Sequence, residues 1–194
     1  MKLLLGKLIR PVMAVALLAT PAIAADDYVI DSGHTLVVFE LNHLGFAKSI
    51  GWMGDVSGTI SYDADDIAKS AVSVTMAVSA VNTNHPERDG WIKSDKALNV
   101  AANPEITFTS TGIEVSTETT GKITGDLTMN GVSKSVVLDA VFNGSGANPL
   151  TKKETIGVSA TTSIMRSDWG VTAFVGPLGD EIAIQIELEA VKAE

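Results

Sequence analysis

Along most of this chain apolar and polar residues alternate one by one, the period of strands with one dry face and one wet face. In "TLVVFELNHL", Val37, Phe39 and Leu41 share one face, while Val38, Glu40 and Asn42 share the other. "DVSGTISYD" sets Val56, Ile60 and Tyr62 against Asp55, Ser57, Thr59 and Ser61. "SAVSVTMAVSAV" sets Val72, Val74, Met76 and Val78 against Ser73, Thr75, Ala77 and Ser79. The second half repeats the habit with Ile106 and Phe108, then Ile123, Leu127 and Met129, and finally Ile182, Ile184, Ile186 and Leu188. Asn130-Gly131, between two alternating runs, is the residue pair that favours a type I′ hairpin turn. Roughly eight to ten such segments, with no helical stretch of βαβ length between them, predict an all-β fold built as an antiparallel barrel or sandwich.

Two stretches break the alternation. Residues 42–54, "NHLGFAKSIGWMG", read as a turn or short helix between strands. Residues 82–100, "NTNHPERDGWIKSDKALNV", read as a short helical crossover: Pro86 suits a first helical position, and Glu87 and Asp89 suit the positive end of the helix. Gly90 limits that helix to one or two turns, and Ser94 can start another. The glycines at 125, 131, 170 and 176 read as turn or bulge positions.

The first 24 residues do not belong to the fold. Lys2, Lys7 and Arg10 precede a short apolar run ending in Ala22-Ile23-Ala24, the form of a cleavable export signal, so the mature chain is expected to begin at Ala25. Residues 25–194 then form a single domain. With no cysteine the domain relies on core burial alone, and its length is sufficient for that. The periplasm is the expected address. The whole chain carries a net charge of −9; without the three basic residues of the leader, 11 basic face 23 acidic residues, a net charge of −12. Such a surface repels phosphate backbones and anionic headgroups, which argues against nucleic acid and against stable membrane insertion.

Candidate chemistry is sparse. The three histidines, His34, His43 and His85, lack the H-E-x-x-H spacing that brings two imidazoles to one helical face, so no metal site is expected. There is no G-x-S-x-G elbow, P-loop or G-x-G-x-x-G run. Each of Trp52, Trp91 and Trp169 reads either as a core plug or as the lining of a barrel mouth.

The stretches "YVIDSGHTLVVFELNHLGFAKSIG", "GDVSGTISYD", "VNTNHPERDGWIKSDKALNVAANPEITFTST", "GDLTMNGVSKSVVLDA" and "IMRSDWGV" follow one another in an order that resembles the YceI-like family of lipid-binding proteins. The resemblance implies an extended, lipocalin-like antiparallel β-barrel that holds a polyisoprenoid or similar amphiphile, with no catalytic residues. After Arg88-Asp89 the family usually has a His, then a Leu, and later an Asp followed by two Phe. Here Trp91, Ile92, Lys96, Ala97 and Leu98 stand at those places, a departure at the expected cavity mouth.

The expected function is therefore a non-enzymatic carrier for a long isoprenoid or quinone-like lipid. The expected lumen residues are Val37, Phe39, Leu41, Phe46, Met76, Val78, Trp91, Phe108, Leu127, Met129, Ile184 and Ile186. No cofactor is expected, and a homodimer is left open. The alternatives are a ligand-free β-barrel acting as an interaction or stress-associated module and, third, metal-assisted hydrolysis.

Overall fold

The computed structural model describes residues 25–194, so the expected export signal lies outside the described residues. Eleven strands make one antiparallel sheet: β1 (Asp26–Ile30), β2 (Leu36–His43), β3 (Ala47–Met53), β4 (Val56–Tyr62), β5 (Ala71–Ala77), β6 (Val81–Asn82), β7 (Glu105–Val115), β8 (Thr120–Met129), β9 (Val132–Ala147), β10 (Glu154–Met165) and β11 (Glu181–Lys192). Two short helices accompany them, α1 (Pro86–Lys93) and α2 (Val175–Leu178).

Short interruptions separate β1 from β2, β3 from β4, and β5 from β6. The pairings β1 with β4, β2 with β3 and β3 with β6 show that each of these pairs is one long, bent strand. Counted so, eight long strands follow one another around a ring, and the ring closes where β11 pairs with β1 (Tyr28 opposite Lys192) and with β2 (Ile186 opposite Val37). A closed ring leaves no free edge, and eight strands leave an interior wide enough for side chains and one slender guest.

The alternation in the sequence becomes the inside and outside of this barrel. Tyr28, Val56, Ile60, Met76, Ile106, Phe108, Leu127, Leu138, Ile156 and Leu188 are buried, whereas Ser57, Thr59, Ser73, Asp126 and Glu187 are exposed. The β8–β9 turn is the predicted one: Asn130 and Gly131 have φ of 49° and 74°, the two positive values a type I′ turn requires.

Three expectations are corrected. Residues 42–54 form a hairpin whose returning arm, β3, is a full strand. Asn42 accepts from the Gly45 N–H at 2.9 Å, and Leu44 and Gly45 take φ of 57° and 78°, so the reversal needs only the tip. Gly125 is not a turn residue, and the bulge at this point is in the partner strand, where β7 shifts register between Ser110, opposite Gly125, and Gly112. Gly125 lies inside β8, where an added Cβ would stand 2.4 Å from Cζ of Phe108, so its bareness makes room for that ring. Gly51 does the same for Phe39. Val78 ends its strand: its N–H still bonds the Pro104 carbonyl at 2.9 Å, one rung beyond Ala77 opposite Glu105, but proline has no N–H to return the bond and the chain enters a single helical turn.

Candidate functional site

The barrel interior holds two cavities placed end to end. The upper one, of about 430 Å³, is lined mainly by strand residues, among them Ile60, Val72, Phe108, Leu138, Ile156 and Ile186, with Ala64, Ile67 and Ser70 joining from the β4–β5 connection. The lower one, of about 270 Å³, is lined by the β2 residues Phe39, Leu41 and His43, by Met129 and Ile182, and by Trp91, Ile92, Ala97 and Leu98 from the 82–100 crossover. Val37, Met76, Leu127 and Ile184 line both, and so form the waist at which the chambers meet. Along β11 the walls run from Ile182 below to Leu188 above, six residues or roughly 20 Å of strand.

The crossover closes the lower end. His85 caps α1 by accepting from the Arg88 N–H at 3.3 Å. Two side chains then clamp one residue: Asp89 accepts from the Thr83 N–H at 2.8 Å and from its hydroxyl at 2.5 Å, and Arg88 donates through Nε to the Thr83 hydroxyl at 2.8 Å. A second Arg88 bond, through Nη2, reaches the Thr83 carbonyl at 2.7 Å. The crossover charges therefore fix the helix to its own leading loop. Trp91, on the inner side of that helix, packs at 5.7 Å between ring centres against Phe174.

Of the twelve residues expected at the lumen, ten line a chamber: Val37, Phe39, Leu41, Met76, Trp91, Phe108, Leu127, Met129, Ile184 and Ile186. Val78 is buried but lines neither, packed in the turn after β5. Phe46 is 89% exposed at the β2–β3 tip, because the hairpin carries it past the end of the wall. The three tryptophans divide: Trp91 lines a chamber, Trp169 is a core plug whose indole N–H donates to the Leu127 carbonyl at 3.1 Å, and Trp52 is exposed on β3 and lines neither chamber.

Sequence reasoning missed Arg166, which lines the lower chamber and is only 4% exposed. The signal was present. Ile156, Val158, Ala160, Thr162 and Ile164 line the chambers at every second position of β10, and Arg166 continues their parity by one step. Burial lowers its pKa from the ordinary arginine value, an effect opposed by the nearby Asp180 carboxylate. Asp180 in turn accepts from the Ser167 N–H at 2.9 Å and the Ser167 hydroxyl at 2.6 Å, and those bonds hold its carboxyl below the usual range.

The two chambers differ in charge. Arg88, Arg166 and His43 line the lower one, and among the described residues no carboxylate does. Glu114 and Glu118, with the hydroxyls of Thr117, Thr119 and Thr120, rim the upper one, and among the described residues no Lys, Arg or His lines it. The histidines lie on separate elements: His34 bonds Asp31 at 2.9 Å outside the barrel, His43 ends β2, and His85 caps α1.

Residues 28–190 match the YceI-like domain family. A UPF0312 protein of Ectopseudomonas mendocina is 38% identical over 183 residues, covering 93% of this chain and 95% of that protein. The crystal structure of a Campylobacter jejuni YCEI protein superposes with a TM-score of 0.71 at 34% identity, over 79% of this chain and 90% of that one. A domain from Saccharophagus degradans, described as polyisoprenoid binding, shares the fold with a TM-score of 0.65 at 13% identity, over 87% of this chain and 99% of that one. With its eight-stranded closed barrel and its match over nearly the whole described length, this chain belongs to the YceI-like family.

Proposed function

We propose that this protein is a periplasmic carrier or buffer for one long-chain isoprenoid or quinone-like lipid, held in the barrel lumen and not chemically altered there. The observation that carries this reading is the pair of apolar chambers abutting at the Val37, Met76, Leu127 and Ile184 waist. A ligand-free module would fill that space with its own side chains, since protein interiors pack as densely as organic crystals. Each buried methylene contributes about 0.8 kcal/mol, so a long prenyl chain gains much by leaving water for such walls, before the entropy of binding is subtracted. The polyisoprenoid-binding domain of the same fold supports the same ligand class.

The apolar walls of both chambers do not supply the converging acid, base and nucleophile that a hydrolytic site needs, which supports binding over catalysis. The export signal read from residues 1–24 supports a periplasmic address. The test is organic extraction of the protein purified from a periplasmic fraction, followed by mass spectrometry. A non-covalent lipid with a long unsaturated chain is expected. Recovery of buffer components only, from protein that also rejects added prenyl lipids, would replace the carrier by the interaction module.

A further inference from the structure

The Arg166 guanidinium is held on two of its three nitrogens. Nε donates to the Gly179 carbonyl at 3.0 Å, and Nη1 donates to the carbonyls of Val171 at 3.0 Å and Ala173 at 2.8 Å. These bonds fix the plane of the group against the β10–β11 connection. Nη2 has no partner, and among the described residues it is the one buried side-chain polar atom in that condition. Leaving a buried charged donor unbonded is destabilising, and native structures satisfy nearly all such groups with protein, water or ligand. Among the described residues no carboxylate salt-bridges this cation; its three bonds go to neutral carbonyls.

The geometry points to Arg166 as the headgroup anchor of the lower chamber, its Nη2 donating to an acceptor oxygen of the bound amphiphile. This inference rests on the carrier reading and adds the orientation of the guest and the chemistry of its polar end. The headgroup lies below, among Arg166, Arg88 and His43, and the tail passes the waist into the upper chamber. The reverse orientation would put an oxygen-rich head against Glu114 and Glu118, where like partial charges repel. The shared headgroup chemistry is a carbonyl, carboxylate or phosphate oxygen, since a guanidinium offers donors and no acceptor. A bare hydrocarbon or an ammonium head leaves Nη2 unsatisfied.

Three probes with the same twenty-carbon prenyl tail separate the outcomes: menaquinone-4, geranylgeranyl phosphate and the corresponding hydrocarbon. Each is titrated against the wild-type protein and Arg166→Met, with circular dichroism and melting to verify folding, and the Arg166 side-chain N–H signals are followed by NMR in the wild type. The wild type is expected to bind at least one oxygen-headed probe about tenfold or more tighter than the hydrocarbon, the gain of a charge-assisted hydrogen bond in a dry site. Arg166→Met is expected to remove that preference and keep the hydrocarbon affinity, and the Nη2 protons of the wild type are expected to shift with the preferred probe. A gain confined to the phosphate upholds the inference with an anionic head, and a gain confined to the quinone upholds it with a neutral carbonyl. Equal affinities for all three probes, or Arg166 signals that never move, would overturn the headgroup inference and leave the carrier standing. Failure to bind any probe would overturn the carrier reading and the anchor with it. Should Arg166→Met not fold, the wild-type affinities and the NMR shifts decide alone.

Discussion

The upper and lower chambers share seven of the eight long strands, β9 lining only the upper one, and yet differ in kind. The upper one is walled mainly by regular strand, where each inward side chain is two residues from the next; its carboxylates stand at the rim, and Thr162 is a neutral polar group opposite Ile184 at the waist. The lower one is finished by pieces that leave the sheet: the 82–100 crossover, the turn at Arg166–Trp169 and α2. A sheet of period two builds generic apolar volume well, because every step of the chain repeats the same choice of face. It has no means of placing one cation at one point. The irregular segments do that, by capping, clamping and backbone bonds of fixed geometry.

The largest expected effect lies at the waist. Met76→Glu puts a carboxylate between the chambers with no cation in reach on the upper side, a penalty of several kcal/mol unless it stays protonated. Against a total stability of about 5–15 kcal/mol this should unfold the protein or expel its lipid. Thr75→Glu, one residue earlier on the outer face opposite Ser57 and Thr107, should change stability by about 0.5 kcal/mol. Denaturant titration of both variants compares one added charge on two sides of one strand, and the opposite ranking would show the register to be shifted by a residue.

Next comes the upper wall. Gly125→Ala forces a Cβ to within 2.4 Å of the Phe108 ring and 2.6 Å of the Thr109 carbonyl, so the ring or the strand must move. Overpacking of this sort costs about 1–3 kcal/mol, read as a lower melting temperature. Ala160→Phe tests the division of labour between chambers. Ala160 lines only the upper cavity, so a ring there should shorten the tail that fits. Affinity for a long prenyl chain should fall about tenfold while that for a short-tailed analogue with the same head stays within about threefold. Equal losses for both would show that the chambers do not act separately.

The smallest expected effect is a pH dependence at the lower end. Ser167 holds the Asp180 pKa below its ordinary value, so the folded state favours the ionised carboxylate. Its contribution is fully present above the unfolded-state value, near pH 4, and is lost as pH falls through the lower folded value. Asp180→Asn should therefore flatten the acid limb of the stability curve, by lowering stability slightly at neutral pH and leaving it little changed at the acid end. A steeper acid limb would contradict the assignment.

What was legible in the sequence follows the same division. Parity identified Met76, Leu127, Phe108 and Ile184 as wall residues, since a strand leaves only two directions to choose from. It failed at Val78, where the chain leaves the strand and parity loses its meaning; Phe46, expected at the lumen from a stretch outside the alternation, is exposed at a hairpin tip. Of the family departures at Trp91, Ile92, Lys96, Ala97 and Leu98, all but Lys96 line the lower chamber. Arg166 was passed over for the opposite reason: its parity was right, but a charge at the end of an apolar run reads as the strand's exit to water. Only the carbonyls of Val171, Ala173 and Gly179, brought back by a loop whose path no local pattern encodes, make burial of that charge tolerable.

The seam between the first and last strands has a consequence for how the molecule assembles. Every other neighbour in the ring is joined by a hairpin or short crossover and can form early, from local chain. The pairs Tyr28 with Lys192 and Ile30 with Ala190, and the bond from Ala193 N–H to the Asp27 carbonyl, unite segments separated by nearly the whole domain. Loop-closure entropy must be met before such contacts give anything back, which places the seam late on the folding path and makes refolding slow for a chain of this size. Until then the sheet is an open ribbon with both long edges unpaired and its greasy face bare, the species most prone to self-association. The same adjacency brings the two ends of the domain together, so a short linker across the seam with new ends at Asn130-Gly131 would turn the last closure into a local one and should speed refolding.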